Sequence, residues 1–366
     1  ELHDFSEPCT VLVSYRDVEE LWLVSVEPVE QSVTMGSVDA WTRVAWLQAS
    51  GSGSGDCGFK IRRKGDADWS DVGDVRLDNG YFSAAADALE PLTRYEVYAF
   101  SGTDRTEAVE FETEAELQLP NAGFETFSNA ESSKYYSFYD PSSPDSSLRT
   151  KWWGSGNKGS TTVGASYAIT MPDLSTRTEG AASLKMASRY VVIKFAAGNV
   201  FSGEYYRTIG TSGGVIRMGR PFTLRPRKLT LWLKYDCGKI EKKTLGGAPE
   251  GETVKVGDND RASVWIALGD WDYRKFGGSE ESPVEVNTTD RSTFFDPQGE
   301  SVIAYGRYVA GESVEEWTKV EIPLEYVSTS RKPTHIIISC ASSMLGDYFT
   351  GSQNSVLWID DLRLEY

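Results

Sequence analysis

The sequence predicts an all-β protein of two β-sandwich domains, the second a two-sheet antiparallel jelly roll. Short runs of alternating apolar and polar residues recur between Gly, Asp and Pro turn signals, with no helical period between them. The 366 residues include 34 Gly, 14 Pro and 12% aromatics, which suits many short strands around an aromatic-rich core. Composition shifts near residue 117. Residues 1–117 hold 9 Lys+Arg against 24 Asp+Glu, whereas the other 249 residues hold 28 against 30. The expected domains are therefore 1–117 and 118–366.

In the first domain the strand-like stretches are "TRVAWLQA", "CGFKIRRKG", "YFSAAADALEP", "RYEVYAFSG" and "TEAVEFETE". Within "LEPLTRYEVYA", Leu89, Pro91, Thr93, Tyr95 and Val97, together with Trp46 upstream, resemble the fibronectin type III pattern. That resemblance covers roughly residues 27–116 and implies an Ig-like sandwich with Trp46 in its core and Tyr95 at the corner entering a strand. Residues 1–26 lie outside it and read as an extra edge strand or the end of an upstream segment. The net charge of −17 resides mostly here. An acidic face repels nucleic acid and anionic lipid, because phosphate binding needs basic patches. The expectation is a solubilising surface, with an acidic docking surface as the alternative.

The second domain stays β throughout. "RKLTLWLKYDC" sets Leu229, Leu231, Leu233 and Tyr235 against Lys228, Thr230, Trp232 and Lys234. "SVWIALGD" opposes Val264, Ile266 and Leu268 to Trp265, and "WTKVEIPLEY" opposes Val320, Ile322, Leu324 and Tyr326 to Trp317, Lys319 and Glu321. "SLKMAS", "YVVIKFAAG", "SVIAYGRY", "THIIISC" and the terminal "SVLWIDDLRLEY" add further strands. Eight or more strands pack most economically as two antiparallel sheets. Residues 272–300 form the longest expected loop. The terminal strand, read with unbroken alternation, places Asp360 on the greasier face with Val356, Trp358, Leu362 and Leu364. A lone buried carboxylate there must be hydrogen-bonded, paired or metal-bound.

The chemistry-bearing residues narrow the function. His3 and His335 are the only histidines, which disfavours Ser-His-Asp and Cys-His mechanisms. No Gly-rich phosphate loop opens a helix, and no Cys/His cluster argues for zinc. Cys9 with Cys57 and Cys237 with Cys340 can be read as one bridge per domain or as free thiols. Asp270 and Asp272 in "GDWDYR" are candidates for a glycosidase carboxylate, although a second one opposite them is not placed by sequence.

Aromatics are the stronger signal, since sugar C–H faces stack on indole and phenol rings. The candidates are Trp152 and Trp153 in "TKWWGSG", Tyr205 and Tyr206 in "GEYYR", and Trp271 and Tyr273 in "GDWDYR". Trp232, Trp265 and Trp317 lie on the non-core side of their strands and would form a platform if those strands share a sheet. The alternative is a secondary core under a loop or neighbouring domain. Ser342, Ser343, Asp347 and Phe349 in "SSMLGDYFTG" read as a tight self-bonded loop in preference to a polar pocket.

"GRPFTLRPRKLTLWLKYD", "VIAYGRY", "VEIPLEY" and "THIIISCASSMLGDYFTGSQNSVLWIDDLRLEY", in that order, resemble the putative carbohydrate metabolism domain of Bacteroides-type envelope lipoproteins. The resemblance covers about residues 120–366. It implies a jelly roll similar to carbohydrate-binding modules, and an exported parent protein lipid-anchored to the outer membrane through a cysteine upstream of Glu1. Jelly-roll carbohydrate-binding modules also begin with stretches similar to "NAGFE" and end with "IDD". That similarity implies a structural calcium held by Glu125, Asp360 and main-chain oxygens near Asn121. The function expected is glycan binding without cleavage, with a two-carboxylate glycoside hydrolase and a structural or adhesive envelope protein as alternatives.

Overall fold

A computed structural model describes residues 9–15, 18–24, 33–51, 56–241, 243 and 251–366. His3 and the Cys9 side chain lie outside the described residues. The chain divides into two compact units. One comprises Glu1–Val38, Ala45–Ala86 and Arg94–Phe111; the other comprises Asp39–Val44, Asp87–Thr93 and Glu112–Tyr366.

The first unit is β throughout. Cys9–Tyr15 and Val18–Val24 pair with each other as a separate two-stranded hairpin, not as an edge strand of a larger sheet. Ala45–Ser50 pairs with Tyr81–Ala86, and Cys57–Arg63 pairs with Arg94–Ser101, each antiparallel. Leu47, Phe59, Phe82 and Val97 fill the core, with the Phe59 and Phe82 rings 5.0 Å apart. Tyr95 is buried and stacks on Phe111 at 5.8 Å, the structural part expected of it. Trp46 departs from expectation. Ala45, Leu47 and Ala49 are the buried set of its strand, so alternation turns Trp46 to the other face, where it is half-buried.

The second unit carries the two large antiparallel sheets. One has the order Thr170–Asp173, Ser183–Ala187, Val356–Glu365, Lys228–Asp236, Val314–Pro323. The other runs Val284–Asn287, Gly213–Met218, Asn199–Ile209, His335–Ala341, Ala262–Gly269, Val302–Ala310, Glu325–Tyr326. Leu229, Leu231, Leu233, Leu357 and Ile359 of the first sheet share one core with Val264, Ile266, Leu268, Ile336 and Ile338 of the second. Because side chains alternate, the other half of each strand must face outward. Two local readings change. "YVVIKFAAG" is a hairpin of Arg189–Val191 and Lys194–Ala196, turned at Val192 with φ 58°. "GEYYR" lies within the long Asn199–Ile209 strand, not in a loop. Cys57, Cys237 and Cys340 are free thiols.

The terminal strand does not alternate without a break. Thr230 faces Arg363 and Trp232 faces Asp360, so Leu231 alone opposes both Asp361 and Leu362. Asp361 takes φ 49°, and this bulge switches the phase of the strand. Leu357 and Ile359 point to the core before it, and Leu362 and Leu364 after it. Asp360 therefore stands on the outer face beside Trp232, not in the inter-sheet core.

Asp360 is nonetheless 1% exposed, because the 174–182 segment crosses above it. Its Oδ2 accepts from the Thr178 amide at 2.8 Å and the Thr178 hydroxyl at 2.7 Å. Its Oδ1 accepts from the Asp361 amide at 2.9 Å. The same strap is fixed by the Trp317 indole N–H to Thr176 Oγ1 and by the Ala181 amide to Glu125. Gly180 allows this approach: at φ 63° it lies where L side chains are strained, and a Cβ would strike the Glu125 carboxylate. Removing the Asp360 carboxylate would strand these donors under the strap. Asp360→Ala should lower unfolding free energy by about 2–4 kcal/mol, and Thr178→Val by less. Urea denaturation checks both, and unchanged midpoints would contradict the assignment.

Candidate functional site

Four of the residues that could perform acid–base chemistry, His335, Asp270, Asp272 and Asp260, are already engaged. His335 is hydrogen-bonded through Nδ1 to Thr334 Oγ1 and through Nε2 to the Glu280 carbonyl, both at 2.8 Å. Burial lowers its pKa. Asp270 meets Arg331 Nη2 with both oxygens, at 3.0 and 2.9 Å, and Asp272 caps a short helix by accepting from the Arg274 amide. Asp260, 3% exposed, accepts from the Ser343 and Ser355 hydroxyls and from the Ser352 and Arg261 amides. Ser342 joins the same internal network through Ser188 at 2.9 Å. Within 342–351 the backbone bonds to itself, Gly346 donating to Ser343, Tyr348 to Leu345 and Phe349 to Gly346, and Asp347 is exposed on it.

The predicted aromatic residues scatter. Trp153 is 1% exposed, packs on Phe124 and donates to the Pro120 carbonyl, so it belongs to the core, with Trp152 half-buried against it. Trp271 is 5% exposed and cannot offer a ring face. Tyr273 starts the helix capped by Asp272 and is half-buried, with the Arg274 guanidinium 5.4 Å from its ring. Tyr205 is half-buried, whereas Tyr206 is exposed beneath the Arg217 guanidinium.

The three platform residues separate onto two sheets. Trp232 and Trp317 share the outer face of the smaller sheet, and Trp358 joins them because of the bulge. Trp358 was hidden from the unbroken alternation. The signal for it is the spacing Leu357–Ile359 then Leu362–Leu364, with a doublet of Asp between. Its indole donates to Asp173 Oδ2 at 2.9 Å, and the Lys185 ammonium lies 4.9 Å from its ring. With Trp317 bound to Thr176, these indoles chiefly anchor the strap and its base.

Trp265 stands on the outer face of the larger sheet, which is half covered. Trp271, Phe276, Phe294 and Phe295 of the 270–300 segment pack over Phe201, Met218, Ala267 and Ile337. The expected long loop is therefore a roof with its own small core. Beyond its edge the described residues cover the face less completely. On the central His335–Ala341 strand, Ile337 is buried but Ser339 and Ala341 are half-exposed. Ser339 lies between Trp265 and Phe201, and Ala341 between Ser263 and Asn199.

Around this floor of small residues the side chains connect. Phe295 stacks on Trp265 at 4.6 Å and 16°, with Tyr305 6.3 Å from both rings. Phe294 packs edge-on against Tyr348 at 5.3 Å. Arg307, across the strand pair from Trp265, reaches Met344 of the same loop as Tyr348. Trp265, Phe294, Phe295, Tyr305, Met344 and Tyr348 are all half-exposed. The Ser339 hydroxyl has no hydrogen-bond partner among the described residues. The arrangement offers ring faces beside a free hydroxyl and a guanidinium, the mixed surface that a sugar requires.

For calcium the geometry provides two carboxylates. A Cβ on Gly123 would lie 3.8 Å from Asp360 Oδ1 and 3.9 Å from Glu125 Oε1, so both acids flank Gly123. Asn121 directs its amide to Thr126, accepting at 3.0 Å and donating at 2.8 Å, and so offers only main-chain oxygen. Calcium takes six to eight oxygens. Glu125 and Asp360 supply carboxylate oxygens for part of such a shell at most, and among the described residues no group of three His, Cys, Asp or Glu assembles.

Comparison with known proteins places this fold. A putative glycoside hydrolase from Bacteroides thetaiotaomicron is 18% identical over 93% of this chain and 98% of its own, with a TM-score of 0.50. The two share a fold. A putative glycoside hydrolase from Bacteroides vulgatus is 20% identical over 66% of this chain and 96% of its own, with a TM-score of 0.48. A putative sugar binding protein from Bacteroides thetaiotaomicron matches at 9% identity over 54% of this chain and 82% of its own, with a TM-score of 0.22. The last two overlap too loosely to bear on the argument. No curated protein matches the chain. Residues 123–365 match the putative carbohydrate metabolism domain, and the chain belongs to that family.

Proposed function

We propose that this protein binds a glycan, without cleaving it, on the open half of the larger sheet's outer face. The observation that carries the reading is the half-exposed Trp265, supported on one ring face by Phe295 and bordered by Ser339 and Ala341. The second ring face is the surface a sugar would take, with the Ser339 hydroxyl and Arg307 as polar partners. A packed support restricts the indole before binding, so less side-chain freedom is lost on association. The carbohydrate-related family agrees with this ligand class. Asp270 and Asp272, the carboxylates nearest in sequence to a catalytic role, are taken up by an ion pair and a helix cap. Export to the cell envelope on a lipid anchor belongs to the same proposal.

Glycan arrays followed by calorimetry on the full chain test it. Trp265→Ala should reduce affinity for the retained glycan by about 1–3 kcal/mol, while Trp358→Ala, on the other sheet, should leave it unchanged. No release of shorter sugars is expected on incubation. Binding insensitive to Trp265→Ala, or glycan cleavage, would contradict the proposal.

We also propose a structural calcium at Glu125 and Asp360, remote in role from the sugar surface. Chelation should lower the melting temperature, added calcium should restore it, and Asp360→Asn should blunt the response. A melt indifferent to chelation would leave Asp360 held by its three protein hydrogen bonds alone.

A further inference from the structure

We infer that the ligand of this surface is an acidic sugar, one carrying a carboxylate or a sulfate ester, read by Arg307 and Arg291. The inference rests on the glycan-binding reading and adds its chemical class. Some arginines of the second unit meet carboxylates, as Arg217 does Glu285 and Arg331 does Asp270, while others, Arg207 and Arg274 among them, form no ion pair among the described residues; what sets Arg307 and Arg291 apart is their place beside the aromatic patch. Arg307 and Arg291 form no ion pair among the described residues, although the chain carries 54 Asp+Glu for 37 Lys+Arg. Both are exposed, and both lean on the 342–351 loop. Arg307 reaches Met344 and lies across from Trp265, while the Arg291 guanidinium sits 5.1 Å from the Tyr348 ring. Two unneutralised guanidiniums, one from the Val302–Ala310 strand and one from the 270–300 segment, thus border the aromatic patch and touch the same 342–351 loop.

A guanidinium presents a planar fork of donors that matches a carboxylate or sulfate, and charge-assisted bonds of this kind are about twice as strong as neutral ones. In a chain of net charge −17, long-range attraction cannot recruit an anion, so recognition must be local. Stacking on Trp265 fixes the sugar ring, and Arg307 then reaches its charged substituent. Asp347 is the opposing group: it is exposed in the same loop, beside Tyr348, and forms no ion pair with either arginine among the described residues. Its charge would weaken the preference without cancelling two cations.

The test uses the full chain with three probes: polygalacturonate for carboxylate, κ-carrageenan for sulfate, and dextran as a neutral control. At about 0.15 M salt, where repulsion from distant carboxylates is largely screened, one or both acidic polymers should bind at least about tenfold more tightly than dextran. Arg307→Gln should lose most of that preference, Arg291→Gln part of it, and Asp347→Asn should increase it, with circular dichroism confirming folding. The polymer retained identifies the anionic group. Equal binding of dextran, or acidic binding unaffected by both Arg variants, would overturn the charge inference while leaving the glycan reading intact. No binding of these polymers and no hit among neutral or acidic glycans on an array would overturn both.

Discussion

The two-residue period of the β-strand, imposed on two sheets that face each other, governs everything else in the second unit. Leu229, Leu231 and Leu233 can meet Val264, Ile266 and Leu268 only if Trp232 and Trp265 point away. The core therefore decides which side chains are available to the outside before any functional demand acts. What remains open is how each outer face is covered, and the two sheets do this differently. The smaller sheet carries a strap held down by a buried carboxylate. The larger carries a roof with its own apolar core that stops midway.

Asp360 illustrates how a single extra residue redistributes roles. The bulge at Asp361 returns Leu362 and Leu364 to the core and leaves Asp360 on the outer face. There the carboxylate becomes the anchor of residues 174–182. The bulge also brings Trp358 to the same face as Trp232 and Trp317, where two of the three indole N–H groups are used to tie the strap and its base. Three tryptophans on one sheet face thus serve mainly structure, while Trp265 on the other sheet borders the half-exposed Ser339 and Ala341.

Much of the fold was legible because alternation in "LTLWLKYD" or "VEIPL" is a local property of the chain. The family was legible for a similar reason, since its motifs are strand-length segments in fixed order. Three things were not. The fibronectin type III resemblance puts Trp46 in a core, whereas Leu47 is the buried residue there and alternation turns Trp46 to the other face. The bulge broke a pattern that looked continuous, although the Leu357–Ile359 and Leu362–Leu364 spacing recorded it. The coverage of Trp271 and the opening beside Trp265 depend on how residues 270–300 pack across a sheet assembled from distant strands. No local pattern contains that information.

The central claim is that sugar meets the protein at Trp265 and not at the other sheet. The most direct measurement is an NMR titration following the tryptophan indole N–H resonances, with oligogalacturonate and a neutral oligosaccharide added in parallel. The account predicts that the Trp265 resonance shifts in a saturable manner while those of Trp232, Trp317 and Trp358 stay in place. A saturable shift confined to the latter three, with Trp265 unmoved, would contradict it.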